Sequence, residues 1–222
     1  MIITTEWGCH LYLIDQALKE LPVVDEVVTL NKSSGSFFYD PWVIKDEYRG
    51  SAWEHVLNTL PGPIGEARII TLEPGESYMA HADIDNRWHL NLTGERSYLV
   101  DLDQNRMWPC EKDGRWMYMF TSRIHSASNY GSIPRRQLVV RELLKHSTRK
   151  NIIKVSIEPA YDQHDYRYKF DNLVSPWLNK KNQDYELDNF SHNGRIATFN
   201  MLVSLKDELD RLITSDFKVR YD

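Results

Sequence analysis

Cysteine is scarce in this chain of 222 residues: Cys9 and Cys110 are far apart and form no C-x-x-C pair. The sequence therefore offers no disulfide framework and no thiolate metal pair, and both cysteines read as reduced structural thiols. Long apolar runs are missing as well. None approaches the roughly 18–20 residues of a membrane span. The stretch Met1 to Trp7 lacks the basic and apolar regions of a secretory signal. The expectation is a cytoplasmic protein with no membrane partner. Positive charge is not in surplus either. A net charge of -5 argues against a general electrostatic grip on nucleic acid. There is no G-x-S-x-G elbow for a serine hydrolase, no glycine loop for phosphate, no internal repeat and no low-complexity segment.

What is present suits one domain, residues 1–222, with 41% hydrophobic and 12% aromatic residues to build a core. Residues 1–65 read as a helical and irregular flank. Leu11, Leu13, Ile14, Ala17, Leu18 and Leu21 form a helical stripe, and a second helix is expected over Ser51–Leu60, with Ser51 as N-cap and Pro61-Gly62 as stop. Residues 66–146 change texture. Short runs with strand character, Ala67–Leu72, Trp88–Leu92, Ser97–Leu102, Trp116–Phe120 and Gln137–Leu144, alternate with turns at Pro74-Gly75, Thr93-Gly94, Lys112-Asp113-Gly114 and Tyr130-Gly131. Such spacing predicts a β sandwich or barrel, so the fold class is mainly β with flanking helices. Residues 147–222 read as a C-terminal extension: a strand at Ile152–Ile157, a surface excursion over Tyr161–Asn193 and an amphipathic helix over Ala197–Ile213.

The chemistry is expected in the central block. In His81-Ala82-Asp83 the two ionisable residues are two apart, and in a strand such side chains share a face. His125, between the run Trp116–Phe120 and the turn-rich segment Ser126–Ser132, supplies a third ligand. Two imidazoles and a carboxylate on one side of a metal leave open positions, the arrangement of non-haem iron(II) oxygenases. Arg135 and Arg136 follow His125 by ten and eleven positions, and a buried arginine there can pair bidentately with a carboxylate. Alternation groups Arg136 with Leu138 and Val140, the more apolar face, which favours Arg136 over Arg135 as the inward anchor.

The order of these elements resembles the double-stranded β-helix (jelly-roll, cupin-like) core of the iron(II)/2-oxoglutarate oxygenases: a strand ending in Pro-Gly, H-x-D, a distal histidine, then an arginine about ten residues on. The stretch RIITLEPGESYMAHADIDNRWHLNL resembles the aspartyl/asparaginyl β-hydroxylase branch, whose R-x-H-L motif corresponds to Arg87-Trp88-His89-Leu90. In that branch the second ligand position is often not a carboxylate; here Asp83 stands there. The resemblance covers roughly the middle third of the chain. It implies that Arg87 and His89 line the pocket and help hold a carboxylate, although a hydrogen-bonded core pair is an equal reading. Ser126, Ser128 and Asn129 either orient His125 or only form a turn. Trp88, with Trp53, Trp108 and Trp116, is either part of a substrate cleft or ordinary packing. His10, His55, His146, His164 and His192 show no metal spacing.

The expected activity is therefore an iron(II)- and 2-oxoglutarate-dependent dioxygenase. It would use dioxygen to hydroxylate an unactivated C–H bond: the β-carbon of Asp or Asn in a peptide or protein, or a free amino acid or small metabolite. The alternatives are a non-catalytic cupin-like metal-binding barrel and a cupin-type dioxygenase that needs no 2-oxo acid. The sequence does not address oligomeric state.

Overall fold

Side chains that alternate in burial along short extended runs organise the molecule. The computed structural model describes residues 2–21, 27–161 and 165–222, so His164 lies outside the described residues. In chain order the strands are β1 (Ile2–Gly8), β2 (Val27–Thr29), β3 (Asn31–Ser33), β4 (Trp42–Ile44), β5 (Ala67–Leu72), β6 (Arg87–Thr93), β7 (Ser97–Asp101), β8 (Arg106–Pro109), β9 (Arg115–Met119), β10 (His125–Asn129), β11 (Arg135–Arg141), β12 (Ile152–Pro159), β13 (Leu187–His192), β14 (Ala197–Leu202) and β15 (Phe217–Tyr221). The helices are α1 (Leu11–Lys19), α2 (Ala52–Leu57), α3 (Tyr166–Lys169), α4 (Ser175–Gln183) and α5 (Lys206–Leu212). No helix among the described residues is long and apolar enough to cross a membrane.

Six strands pair antiparallel in the order β1-β9-β6-β11-β5-β2, and three more in the order β10-β7-β8. The predicted strands of the central block all form. β1 and β2, from the segment read as a flank, complete the six-stranded sheet. That sheet is buried on both faces. One face packs Leu90, Leu92, Trp116, Leu138 and Val140 against Ile14 and Ala17 of α1 and Trp53 and Val56 of α2. On α2 the expected cap forms, Ser51 Oγ accepting from the Glu54 amide at 3.4 Å. The other face meets the three-stranded sheet, with Ile2, Leu72, Met117 and Met119 against Leu99 and Ala127. This second contact is small because much of the space between the sheets is a cavity.

The C-terminal extension corrects two expectations. Ala197–Ile213 is not one helix: Ala197, Phe199 and Met201 are buried while their neighbours are half-buried, a period of two that makes β14 before the chain turns into α5. Tyr161–Asn193 is not a surface excursion, at least over its described residues. It carries α3, α4 and β13, and buries Phe170, Val174, Trp177, Leu178 and Phe190 in a separate core with β12 and β14. Its polar residues are divided: many face outward, while Ser175, Asn179 and Asn182 are buried, Asn179 and Asn182 hydrogen-bonded to the central block. The strand expected at Ile152–Ile157 forms as β12, in a sheet of order β13-β14-β12-β15.

Candidate metal centre

The ligand-bearing segment begins at the Pro74-Gly75 turn. Gly75 has φ +85, which the second central position of such a turn requires, and the Glu76 amide donates to the Glu73 carbonyl at 3.0 Å. The chain then runs antiparallel beside β10, with single bridges at Ser77–Ser128 and His81–His125. His81 and His125 exchange both backbone hydrogen bonds, at 3.0 and 2.8 Å. They are thus direct cross-strand partners, with ring centroids 4.4 Å apart. Asp83, two residues on, falls on the same side, its amide donating to the Thr121 carbonyl at 2.8 Å. One expectation is corrected here. Ser126–Asn129 is not a turn but the body of β10, and its pairing holds His125 in place.

Each imidazole is oriented by its backbone. His81 Nδ1 lies 2.8 Å from the Met79 carbonyl oxygen, and His125 Nδ1 lies 2.9 Å from that of Arg123. A carbonyl only accepts, so both Nδ1 atoms carry the hydrogen and both Nε2 lone pairs are left for a ligand. Asp83 Oδ2 lies 3.8 Å from His81 Nε2 and 3.5 Å from His125 Nε2. Two donors held at about 2.1 Å from one ion can stand no more than about 4.2 Å apart, and both separations satisfy this. The three residues are the one group of this kind among the described residues.

Charge is set to suit a cation. Burial opposes ionisation of Asp83, but Arg87 and the two imidazoles outweigh it and hold its carboxyl well below the usual carboxylate range. Burial also lowers the pKa of His81, favouring the neutral form that binds metal. Asp83 Oδ1, the oxygen turned away from the imidazoles, takes Arg87 Nη2 at 2.8 Å. Arg87 also donates to Asp85 Oδ1 at 3.2 Å, and Asp85 pairs with Arg141 at 2.7 Å. Arg141 reaches Glu66 at 3.0 Å. Arg87 therefore divides its donors between Asp83, the third ligand, and Asp85, which anchors the guanidinium.

A cavity of about 360 Å³ extends from this cluster between the two sheets. Arg135, 1% exposed, stands in its wall together with Gln137 and Val139. Its Nη2 donates to Gln137 Oε1, and its Nε has no partner. No carboxylate lies within ion-pair distance of it among the described residues. The reading that favoured Arg136 is corrected: Arg136 is on the opposite face with Leu138 and Val140, toward α1 and α2. The apolar face of β11 does turn inward, but into the helix-covered core rather than the cavity.

His89 lies in the same wall. Gln137 must aim its amide oxygen at Arg135, which can only donate, and that oxygen is also 2.9 Å from His89 Nδ1. His89 Nδ1 is therefore the protonated nitrogen, and its buried Nε2 is a bare acceptor without a partner. Burial drives its pKa down to about 3, so it stays neutral. In this state it suits an N–H or O–H donor on a ligand rather than a carboxylate.

The remaining candidates have other roles. Ser126 Oγ donates to the Tyr78 carbonyl at 2.6 Å. Asn129 ties β10 to neighbouring backbone, donating to Leu72 at 3.0 Å and Ile133 at 2.9 Å. Ser128 is buried with no hydroxyl partner. None of the three orients His125, whose Nδ1 belongs to Arg123. Trp88 packs on Trp7 and Tyr118, away from the cavity. Gln137 and Arg68, which the sequence reading passed over, also line it; Gln137 shares the alternation that places Arg135. No protein-family model matches the chain, and no curated protein matches it in sequence.

Proposed function

We propose that this chain is a non-haem iron(II) oxygenase that uses 2-oxoglutarate and dioxygen to hydroxylate a C–H bond, on a double-stranded β-helix scaffold formed by the two facing sheets. The observation that carries the reading is the pairing of two features in one cavity. Three metal-type donors converge at one place, and a buried arginine with no acidic partner stands elsewhere in the wall. A metal-binding barrel without a 2-oxo acid would have no use for the second, since an unpaired buried guanidinium is costly.

His81, Asp83 and His125 would hold the ion, and Arg135 would pair with the far carboxylate of the cosubstrate. When bound, iron, 2-oxoglutarate and dioxygen together supply the oxidising power that removes hydrogen from carbon. The protein's own part is placement. Arg87 restrains Asp83 so that one carboxylate oxygen stays turned to the imidazoles. Gln137, bonded to both Arg135 and His89, fixes the guanidinium. Ile70, Leu99, Ala127 and Val139 keep the intervening wall apolar and poor in water. By the resemblance noted above, the substrate is an Asp or Asn residue of a peptide or protein, or else a free amino acid or small metabolite.

The test is an anaerobic titration of metal-free protein with iron(II) and then 2-oxoglutarate, followed by visible absorption. A weak charge-transfer band should appear with both present. Asp83→Ala and Arg135→Gln should each weaken it, the first through the metal and the second through the cosubstrate. Iron bound tightly with no band and no 2-oxoglutarate uptake would refute the proposal.

A further inference from the structure

Arg68 is the cation in the cavity wall that the proposed reaction leaves unused. It lies on β5 beside Ile70, in register with Val139 of β11, and through Val139 with His89 of β6. Arg135 is in register with Leu72, four residues further along β5. The two arginine Cα atoms are therefore roughly 14 Å apart, from the strand rise and the interstrand spacing. Arg68 occupies the side of the cavity toward the sheet edge, where Val27 of β2 is exposed. A diacid held between Arg135 and the metal leaves it free.

Its present ion pairing is poor. Arg68 Nη1 is 3.6 Å from Glu66 Oε2, an oxygen already bonded to Arg141 Nε at 3.0 Å. Its Nε is buried and makes no hydrogen bond. The edge formed by Nε and Nη2 is the fork that matches a planar carboxylate. Burial, and then repulsion from Arg87 and Arg141, lower the Arg68 pKa, as expected of a cation short of counter-charge. Charge balance points the same way. Arg68, Arg87, Arg135 and Arg141 face Asp83, Asp85 and Glu66, one more cation than anion. The nearby Arg167 and Asp171 pair with each other at 2.9 Å. A divalent ion and a 2-oxoglutarate dianion cancel, so the excess of one positive charge persists in the loaded site.

We infer that Arg68 is a specificity residue that binds a carboxylate of the substrate at the sheet-edge side of the cavity. This rests on the oxygenase reading for its distinction between substrate and cosubstrate. The experiment uses zinc-loaded full-length protein, saturated with 2-oxoglutarate, and ligand-observed NMR. The probes are N-acetyl amino acids, each compared with its own carboxamide, against wild type, Arg68→Gln and Arg68→Lys. At least one acid should bind wild type about 10-fold or more tighter than its carboxamide. Arg68→Gln should erase that preference and Arg68→Lys should keep part of it. The 2-oxoglutarate affinity of Arg68→Gln should stay within about 3-fold of wild type, as for a separate site. The inference is overturned if no acid outbinds its carboxamide, or if the preference survives in Arg68→Gln. It is also overturned if Arg68→Gln loses 2-oxoglutarate binding, since Arg68 would then belong to the cosubstrate. Should wild type take no 2-oxoglutarate while an Arg68-dependent preference for acids persists, the oxygenase reading fails and the carboxylate subsite stands.

Discussion

A guanidinium buried without a carboxylate in range, as Arg135 is, gives up hydration that nothing in the protein returns. An arriving carboxylate restores that balance, so removing the guanidinium should be felt mainly in cosubstrate binding. Arg135→Gln is expected to weaken 2-oxoglutarate binding about 100-fold, with metal affinity little changed. Arg136→Gln, on the helix-covered face, should leave both nearly unaltered; calorimetric titration of the two variants decides between the neighbours. His89 gives a second prediction, this one for stability. Its folded pKa is depressed by burial to about 3, against about 6.5 for an ordinary imidazole. Between those values the unfolded chain binds the extra proton, so stability falls as pH falls through that window. From pH 7 to pH 5 the loss is about 2 kcal/mol for this one group. Urea unfolding of metal-free protein should show that loss, and His89→Gln should show less of it. An equal pH response in the variant would mean that His89 is not held neutral. Asp83 acts in the same direction but only at lower pH, because its depressed carboxyl protonates below the usual carboxylate range.

At the level of elements, what could be read from the sequence followed from how each strand is buried. The predicted runs of β5, β6, β7, β9 and β11 carry enough apolar and aromatic residues between turn signals to stand out. β8, with mostly exposed residues, and β1, whose buried position is Ile2, show no such contrast. The choice between Arg135 and Arg136 went the other way for a related reason. Where both faces of a sheet are buried, polarity no longer marks the outside, and the polar face is the one that lines the cavity. H-x-D was legible because both ligands sit two apart in one segment. The support for that segment was not, since it comes from almost a hundred residues away. Asn172 donates to the Ala80 carbonyl at 3.4 Å, and Asn179 of α4 to the Asp83 carbonyl at 3.3 Å and Asn86 Oδ1 at 3.2 Å. The C-terminal unit thus braces the ligand segment from behind. Asn179→Ala is expected to lower metal affinity about 10-fold, the scale on which outer-shell partners act. Competition with a metal-binding dye would measure it, and unchanged affinity would reduce α4 to packing alone.

On the scale of the whole molecule, the space between the two sheets is split between a small apolar contact and a cavity whose partly apolar wall carries three guanidinium groups, three imidazoles and one carboxylate. The hydrophobic cores on either side, under α1 and α2 and within the C-terminal unit, are larger. Filling the cavity between the sheets should be read out globally. An ion bound only by the folded state at 100 times its dissociation constant adds about 2.7 kcal/mol. For a chain of this length that corresponds to a rise in Tm of about 5–10 °C. Manganese(II) or anaerobic iron(II) should produce such a rise, and 2-oxoglutarate should add to it only when metal is present. Asp83→Ala should sharply reduce the first increment, and the second with it, whereas Arg135→Gln should remove the second alone. If 2-oxoglutarate instead stabilised the metal-free protein as strongly as the loaded one, the acid would be binding to arginine without chelation. The metal and Arg135 would then serve separate ligands.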